Sequence, residues 1–284
     1  MPTSSGRGRV LRSPREIAKM RAAGLIVWQA HQAAAQLIQP GVTTATLNDA
    51  IRDVFRSANA VPLFLGYPGP TPFPAESCIS VNEELVHGIP GPRELQEGDI
   101  VSIDIGCRFG GWCGDAAVTH PVGEVSSVAR RLLHTTNHAL NLAIELVGTK
   151  QKWSEVAREL ERFVNNAGFH VVESMVGHGI GQEMHEPPQI PNYYNRKWAD
   201  EEDFDLRSGV VMAIEPMVNV GTKELICLRD GWTQIAADKK YAAHFEHTVA
   251  LTLSGPRRLT GPPTDEELEA LPAWLADKEK WKLW

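Results

Sequence analysis

The sequence predicts a mixed α/β (α+β) fold, on three observations. Four segments carry apolar residues at helical spacing, six shorter segments between them read as β-strands, and two of the helices repeat one apolar pattern at a constant offset. The 284 residues suffice for one large core or two moderate ones. A hydrophobic content of 43% beside 22% charged residues is that of a globular domain.

The first helix is expected over 13–38. Ser13 is its N-cap, Pro14 takes the first helical position, and Glu16 completes a capping box. Ile17, Met20, Leu25, Val27, His31, Ala34 and Ile38 follow at roughly helical spacing until Pro40-Gly41 ends the pattern. A second helix covers 44–58, with Leu47, Ile51, Val54 and Phe55 on one face. Segment 66–75, GYPGPTPFPA, holds too many prolines for a helix or central strand and is a loop. Strands are expected at 76–81, 99–106 and 112–119, and helices at 126–147 and 154–167. Further strands follow at 171–176, 210–219 and 243–253. The second and fourth helices share their apolar positions: Leu47, Ile51, Val54 and Phe55 fall on Val156, Leu160, Phe163 and Val164, since 156 − 47 = 109. This is the mark of an internal duplication. Residues 1–12 form a basic tail, 13–254 the domain, and 255–284 a surface extension in which Thr264 and Glu267 cap a short helix.

Bulk properties exclude several classes. A net charge of −7 and a pI near 5.8 argue against a dedicated nucleic-acid binder. No apolar run approaches the ~18 residues of a membrane span, and the basic N-terminus lacks the apolar stretch of a secretory signal. Cys78, Cys107, Cys113 and Cys227 form no C-x-x-C pair, as expected of reduced thiols in the cytoplasm.

Five side chains stand out: Asp104, Asp115, His178, Glu215 and Glu246. Asp104 in GDIVSIDIG, Glu215 in GVVMAIEPMV and Glu246 in HFEHTVALTL sit inside buried-strand sequence, where an uncompensated charge costs several kcal/mol. Strand alternation puts Asp104 on one face with Ser102, and Glu246 with His244 and Thr248. Asp104 and Asp115 are 115 − 104 = 11 residues apart, across glycines that suit a hairpin. Four carboxylates and an imidazole carry more negative charge than one divalent ion balances. Two ions roughly 3.5–4 Å apart would satisfy them. Hard oxygens with a single nitrogen suit Mn²⁺, Fe²⁺, Co²⁺ or Zn²⁺, and the chemistry expected is metal-assisted hydrolysis. His87 in VHGIP and His185 in GHGIGQEMHEPP flank this set as donors to a substrate carbonyl and scissile nitrogen. His244 and His247, beside Glu246, are expected to support the ligands.

HGIP, DIVSIDIG, GDAAVT, GHGIG…MHEPPQI, AIEPM and FEHTVALT occur in that order over roughly residues 12–253, and the chain resembles the type I methionine aminopeptidases. The resemblance implies the pita-bread fold, two pseudo-symmetric halves of antiparallel sheet flanked by helices around a dinuclear metal site. It implies Asp104, Asp115, His178, Glu215 and Glu246 as ligands of two divalent ions, with Asp115 and Glu246 bridging. His87 and His185 become catalytic histidines and Glu215 the proton shuttle. Tyr67, Cys78, His87, Met184, His185 and Trp232 contact the substrate. The implied activity is removal of the initiator methionine from nascent polypeptides with a small second residue, by a cytoplasmic monomer. Type I rather than type II follows from 246 − 215 = 31 residues between the glutamates, too few for the type II insertion. Two departures concern the pocket: Met184 stands where bacterial members commonly carry phenylalanine, and the 66–78 loop is longer and lacks a second tyrosine, which Phe73 would replace. The rivals are an Xaa-Pro aminopeptidase of the same fold, which normally adds a large N-terminal domain, and a non-catalytic pita-bread protein, which typically has lost ligands. Arg7, Arg9, Arg12, Arg15, Lys19 and Arg21 make an arm suited to transient contact with the ribosome.

Overall fold

The structure, a computed structural model, describes residues 10–269; Arg7, Arg9 and the extension from 270 onward lie outside the described residues. The first half runs through α1 (Pro14–Leu37), α2 (Thr44–Ala58), β1 (Val61–Pro62), β2 (Cys78–Val81), β3 (Glu84–Val86), β4 (Ile100–Phe109) and β5 (Trp112–Pro121). The second opens with α3 (Ser127–Val147), α4 (Trp153–Asn166), β6 (His170–Val171), β7 (Gly177–Gly179), β8 (Glu186–Ile190) and α5 (Arg196–Glu201). It continues through β9 (Val211–Ile214), β10 (Met217–Asn219), β11 (Leu225–Cys227) and β12 (Gln234–Ala236). The last elements are β13 (Ala242–His244), β14 (His247–Thr252), β15 (Gly255–Arg258) and α6 (Asp265–Leu268).

Local chemistry sets the helices as the sequence implied. Ser13 and Glu16 form the capping box of α1 with Pro14 in its first turn. The apolar stripes then choose their sheets. Leu47, Ile51 and Phe55 of α2 join Val27 and Ala30 of α1 against Ile103 and Ile105 of β4. Val156, Leu160 and Val164 of α4 join Leu132 and Leu140 of α3 in the second core, with Met212 and Ile214 of β9. Even the half-buried positions correspond, Val54 in α2 and Phe163 in α4.

Every strand pairing is antiparallel. The sheet of the first half has β4 between β5 on one edge and β1 and β2 on the other; that of the second runs β15-β14-β9-β7-β8. Small sheets β13-β10-β6 and β11-β12-β3 flank them. The halves meet along β5. Glu246 N–H donates to the Ala117 carbonyl at 2.8 Å, and Ala117 N–H returns a bond at 3.3 Å. The Thr119 hydroxyl accepts from His244 N–H and donates to its carbonyl, while Thr248 does the same to Asp115.

Several expected strands differ. The stretches 210–219 and 243–253 are each two strands, broken at Glu215-Pro216 and at Phe245-Glu246. Ile214 pairs with His247 and Met217 with His244, so both chains step together from the five-stranded sheet to a three-stranded one. Pro216, lacking an N–H, cannot continue the ladder. The strand expected at 171–176 shrinks to His170–Val171. In contrast β8, for which no strand was expected, contains Pro187-Pro188; it lies at the sheet edge, where proline is tolerated.

Both termini of the domain also differ from expectation. Gly255–Arg258 pairs with β14, and Leu259 and Thr260 are fully buried, so the extension begins inside the sheet. The basic arm is not free either: Arg12 pairs with Glu186 and Arg21 with Glu267, both guanidiniums being largely buried. Arg15 and Lys19 remain exposed.

Candidate metal centre and active-site pocket

The β4–β5 hairpin sets the first two acids. Asp104 lies opposite Ala117 and Asp115 opposite Gly106, making the aspartates diagonal neighbours on one face. Gly106 leaves room for the carboxylate: a Cβ there would sit 3.0 Å from Asp115 Oδ1. The paired strand breaks of the second half supply Glu215 and Glu246, and β7 supplies His178. His178 Nε2 is 3.6 Å from Glu215 Oε1 and 4.0 Å from Asp115 Oδ2. His244 Nε2 is 3.5 Å from Glu215 Oε2 and 3.9 Å from Glu246 Oε2. Asp115, His178 and Glu246 bring ligand atoms within 4.8 Å of one another, and Glu215, His244 and Glu246 do the same.

These groups are packed against one another with only partial compensation from the protein. Asp104 Oδ1, Asp115 Oδ1 and Glu246 Oε1 are buried and have no hydrogen-bond partner. Burial pushes the Asp115 carboxyl up to about 7. Burial, then the charge of Asp115, holds Asp104, Glu215 and Glu246 well above the ordinary carboxylate range. Burial depresses His178 and His244 to about 3, leaving them neutral and able to donate a lone pair. Orphaned carboxylate oxygens beside neutral imidazoles form a donor set that fits divalent cations. Four of the five expected ligands fall in the close groups just described. Asp104 joins them through its diagonal position to Asp115 and its place in the shared pocket.

A pocket of about 290 Å³ opens above the acids and is lined at its other end by Phe64, Tyr67, Phe73, Met184 and Trp232. All six residues expected to contact substrate line it. Cys78 is opposite Asp104 in the β2–β4 register. His87 adopts a left-handed backbone, φ 60°, which costs a non-glycine residue about 1–3 kcal/mol and aims the side chain across the pocket. The next residue must be glycine: a Cβ on Gly88 would lie 2.3 Å from the Ile79 carbonyl oxygen. His185 is fixed by the Tyr67 hydroxyl, 2.8 Å from its Nδ1, and its ring stands edge-on to His178 at 4.3 Å. Burial lowers the affinity of both His87, to about 4, and His185 for a proton.

Sequence reasoning offered Phe73 as a stand-in for the missing tyrosine without giving it a position, and missed Asn192. Phe73 is buried and meets Trp232 edge to face at 5.2 Å; Trp232 Nε1–H donates to the Thr71 carbonyl and so ties the loop down. Asn192 Nδ2–H donates to the Glu215 carbonyl at 2.9 Å, replacing the ladder bond lost at the strand break. His244, expected only in support, stands as close to the glutamates as His178 does. His247 turns away and bonds the Thr260 hydroxyl through Nδ1. Strand alternation places it on the face opposite Glu246.

The fold and donor set define a metallopeptidase: the model of metallopeptidase family M24 matches residues 18–253, and the chain belongs to that family. Within it the chain belongs with the type I methionine aminopeptidases. Methionine aminopeptidase 1 of Bacillus subtilis (strain 168) is 42% identical over 246 residues, covering 87% of this chain and 96% of its own length. The solved methionine aminopeptidase from Thermotoga maritima superposes with a TM-score of 0.84 at 38% identity, covering 89% of this chain and 99% of that one. Prolidase from Pyrococcus furiosus shares the fold, with a TM-score of 0.66 at 22% identity over 90% of this chain and 66% of its own.

Proposed function

We propose that the chain hydrolyses the first peptide bond of polypeptides that begin with methionine followed by a small residue. The observation that carries this is one cavity lined both by clustered carboxylates and neutral imidazoles and by the apolar side chains of Phe64, Phe73, Met184 and Trp232. Asp104, Asp115, His178, Glu215 and Glu246 are the residues that would hold two divalent cations, and His244 lies close enough to contribute. Bound there, such cations supply Lewis acidity and lower the pKa of water toward neutrality. Glu215 takes the proton released in the attack and passes it to the leaving nitrogen. With the Tyr67 hydroxyl, 2.8 Å from Nδ1, donating to that nitrogen in the working tautomer, His185 offers Nε2–H to the substrate, and His87 acts as a second donor. The methionine side chain enters the wall of Tyr67, Cys78, Met184 and Trp232, a burial that supplies roughly 1.5–3 kcal/mol.

The test is anaerobic titration of metal-free protein with Mn²⁺, Fe²⁺, Co²⁺ and Zn²⁺ while assaying Met-Gly-Met and Xaa-Pro peptides. Methionine release saturating at two equivalents is the expected result. Cleavage of Xaa-Pro peptides alone would defeat the reading, and no activity with any metal would favour a binding protein.

The partner in the cell is the N-terminus of a nascent chain, met by a cytoplasmic monomer. Transient contact with the ribosome rests on the exposed Arg15 and Lys19, since Arg12 and Arg21 are engaged within the fold. Unchanged co-sedimentation of an Arg15→Glu, Lys19→Glu variant would remove that contact.

A further inference from the structure

We infer that Arg12 and Glu186 form a clamp that positions Met184 and His185 in the pocket, which makes the segment before α1 a working part of the active site. This rests on the aminopeptidase reading of the pocket and adds two positioning residues to it.

The clamp is built around one carboxylate. Glu186 Oε1 accepts from the backbone N–H of Gln182 at 2.9 Å and of Glu183 at 3.2 Å, folding the chain 182–186 back on its own side chain. The remaining oxygen, Oε2, accepts from Arg12 Nη2. Glu186 follows His185 directly, so wherever this carboxylate is held, His185 is held one residue away. A second set of bonds ties the start of the turn to β5: Cys113 N–H donates to the Gly181 carbonyl at 2.8 Å, and its Sγ lies 3.3 Å from the Gln182 carbonyl.

Arg12 is itself fixed from three sides. Its backbone N–H donates to the Gly209 carbonyl at 2.7 Å, and its guanidinium lies 5.1 Å from the centroid of the Trp112 ring. Its main chain runs straight into Ser13, the N-cap of α1. Only 8% of the Arg12 side chain and 18% of the Glu186 side chain are exposed, so water competes little for the pair. The pair packs directly on Gly181, where a Cβ would lie 2.1 Å from Arg12 Nη2 and would push the guanidinium aside. A turn shaped around an incoming guanidinium, with a pocket residue at its end, is a positioning device. Lysine would bring the charge but neither the planar stack nor the forked donors. Catalytic groups displaced by about 1 Å lose activity on the order of a hundredfold, so a slackened turn is read directly in turnover.

The experiment compares the metal-loaded wild-type enzyme with Arg12→Ala, Arg12→Lys and Glu186→Gln on Met-Gly-Met. Arg162→Ala serves as control, since it removes an arginine from an exposed pair on α4. Thermal unfolding and calorimetric metal titration are recorded for each. For Arg12→Ala we expect kcat/KM to fall about tenfold to a hundredfold, kcat reporting His185 and KM reporting Met184, with metal affinity within about threefold of wild type. Arg12→Lys recovers part of the loss. Millimolar guanidinium restores several-fold activity to Arg12→Ala and leaves wild type and Arg162→Ala unchanged. If Arg12→Ala unfolds at the assay temperature, Arg12→Lys and Glu186→Gln carry the same readouts. A folded variant within about threefold of wild type would overturn the clamp. So would a loss accompanied by lost metal binding and no guanidinium rescue, which marks general loosening. A wild-type chain that leaves Met-Gly-Met intact defeats the aminopeptidase reading instead.

Discussion

Asp104, Asp115, Glu215 and Glu246 retain protons in the folded, metal-free protein that the unfolded chain would release. Where the unfolded state binds fewer protons, stability falls as pH rises. Buried neutral histidines such as His31, depressed to about 3, work in the opposite sense, but only below their unfolded pKa of about 6.5. Above that value the carboxyls act alone. Thermal unfolding of chelator-treated protein is therefore expected to weaken from pH 6.5 to 8, by about 1.4 kcal/mol per pH unit for each proton still held. Mn²⁺ or Co²⁺ should abolish the slope; a flat profile without metal would refute the account. A second outcome concerns Phe73. Phe73→Ala removes the ring packed on Trp232, and KM for Met-Gly-Met should rise roughly tenfold, a loss of about 1.4 kcal/mol of binding, with a smaller change in kcat. The candidate ligands stood out in the sequence because a charge inside a strand pattern is conspicuous. Phe73 was not, because a proline-rich loop has no period from which a side-chain direction follows.

Strand alternation put Glu246 on one face with His244, yet gave no sign that the strands carrying Glu215 and Glu246 break at those residues. The alternation continues through each break, so the pattern reads as one strand where the sheets change partner. Only Pro216 signalled an interruption. Asn192 then does what the ladder cannot, bonding the Glu215 carbonyl from a neighbouring segment. Asn192→Ala leaves that buried carbonyl without its donor, which costs about 1–3 kcal/mol. The variant should unfold at lower temperature and bind metal more weakly, since the backbone of a ligand has been released. Calorimetric titration with Co²⁺ is the check, and unchanged affinity would show that the break holds its shape without Asn192. The hairpin β4–β5 was the opposite case: glycines between two alternating strands fixed turn and register together. β8 was missed because its two prolines disqualify a central strand, and nothing local reveals that a strand will lie at an edge.

The duplication anticipated from helical spacing extends to the seam between the halves. Thr119 and Thr248 make equivalent paired bonds, each to the backbone of a residue across the seam, and Ala117 and Glu246 exchange bonds between them. The candidate metal site lies on this seam and takes its carboxylates from both halves, so whatever holds the halves in register also holds the site. The C-terminal segment contributes to this. Arg21 of α1 donates to the carbonyls of Leu259, Gly261 and Pro262 and pairs with Glu267, whose carboxyl is held down to about 2 chiefly by that arginine. Gly24 admits the same strand closely, since a Cβ there would lie 2.0 Å from the Leu259 carbonyl oxygen. Sequence composition suggested a boundary after 254, because glycine and proline usually mark a linker; here they turn the chain into β15. A chain ending at 254 would lose β15, the buried Leu259 and the partners of the Arg21 guanidinium, together with the segment that covers it. It should unfold well below the full-length protein and lose metal affinity with it. Arg21→Ala, compared by denaturant titration, separates the two causes: it removes the charge but keeps the strand. A truncated chain as stable as the full one would mean that α1 and β14 hold the halves together unaided.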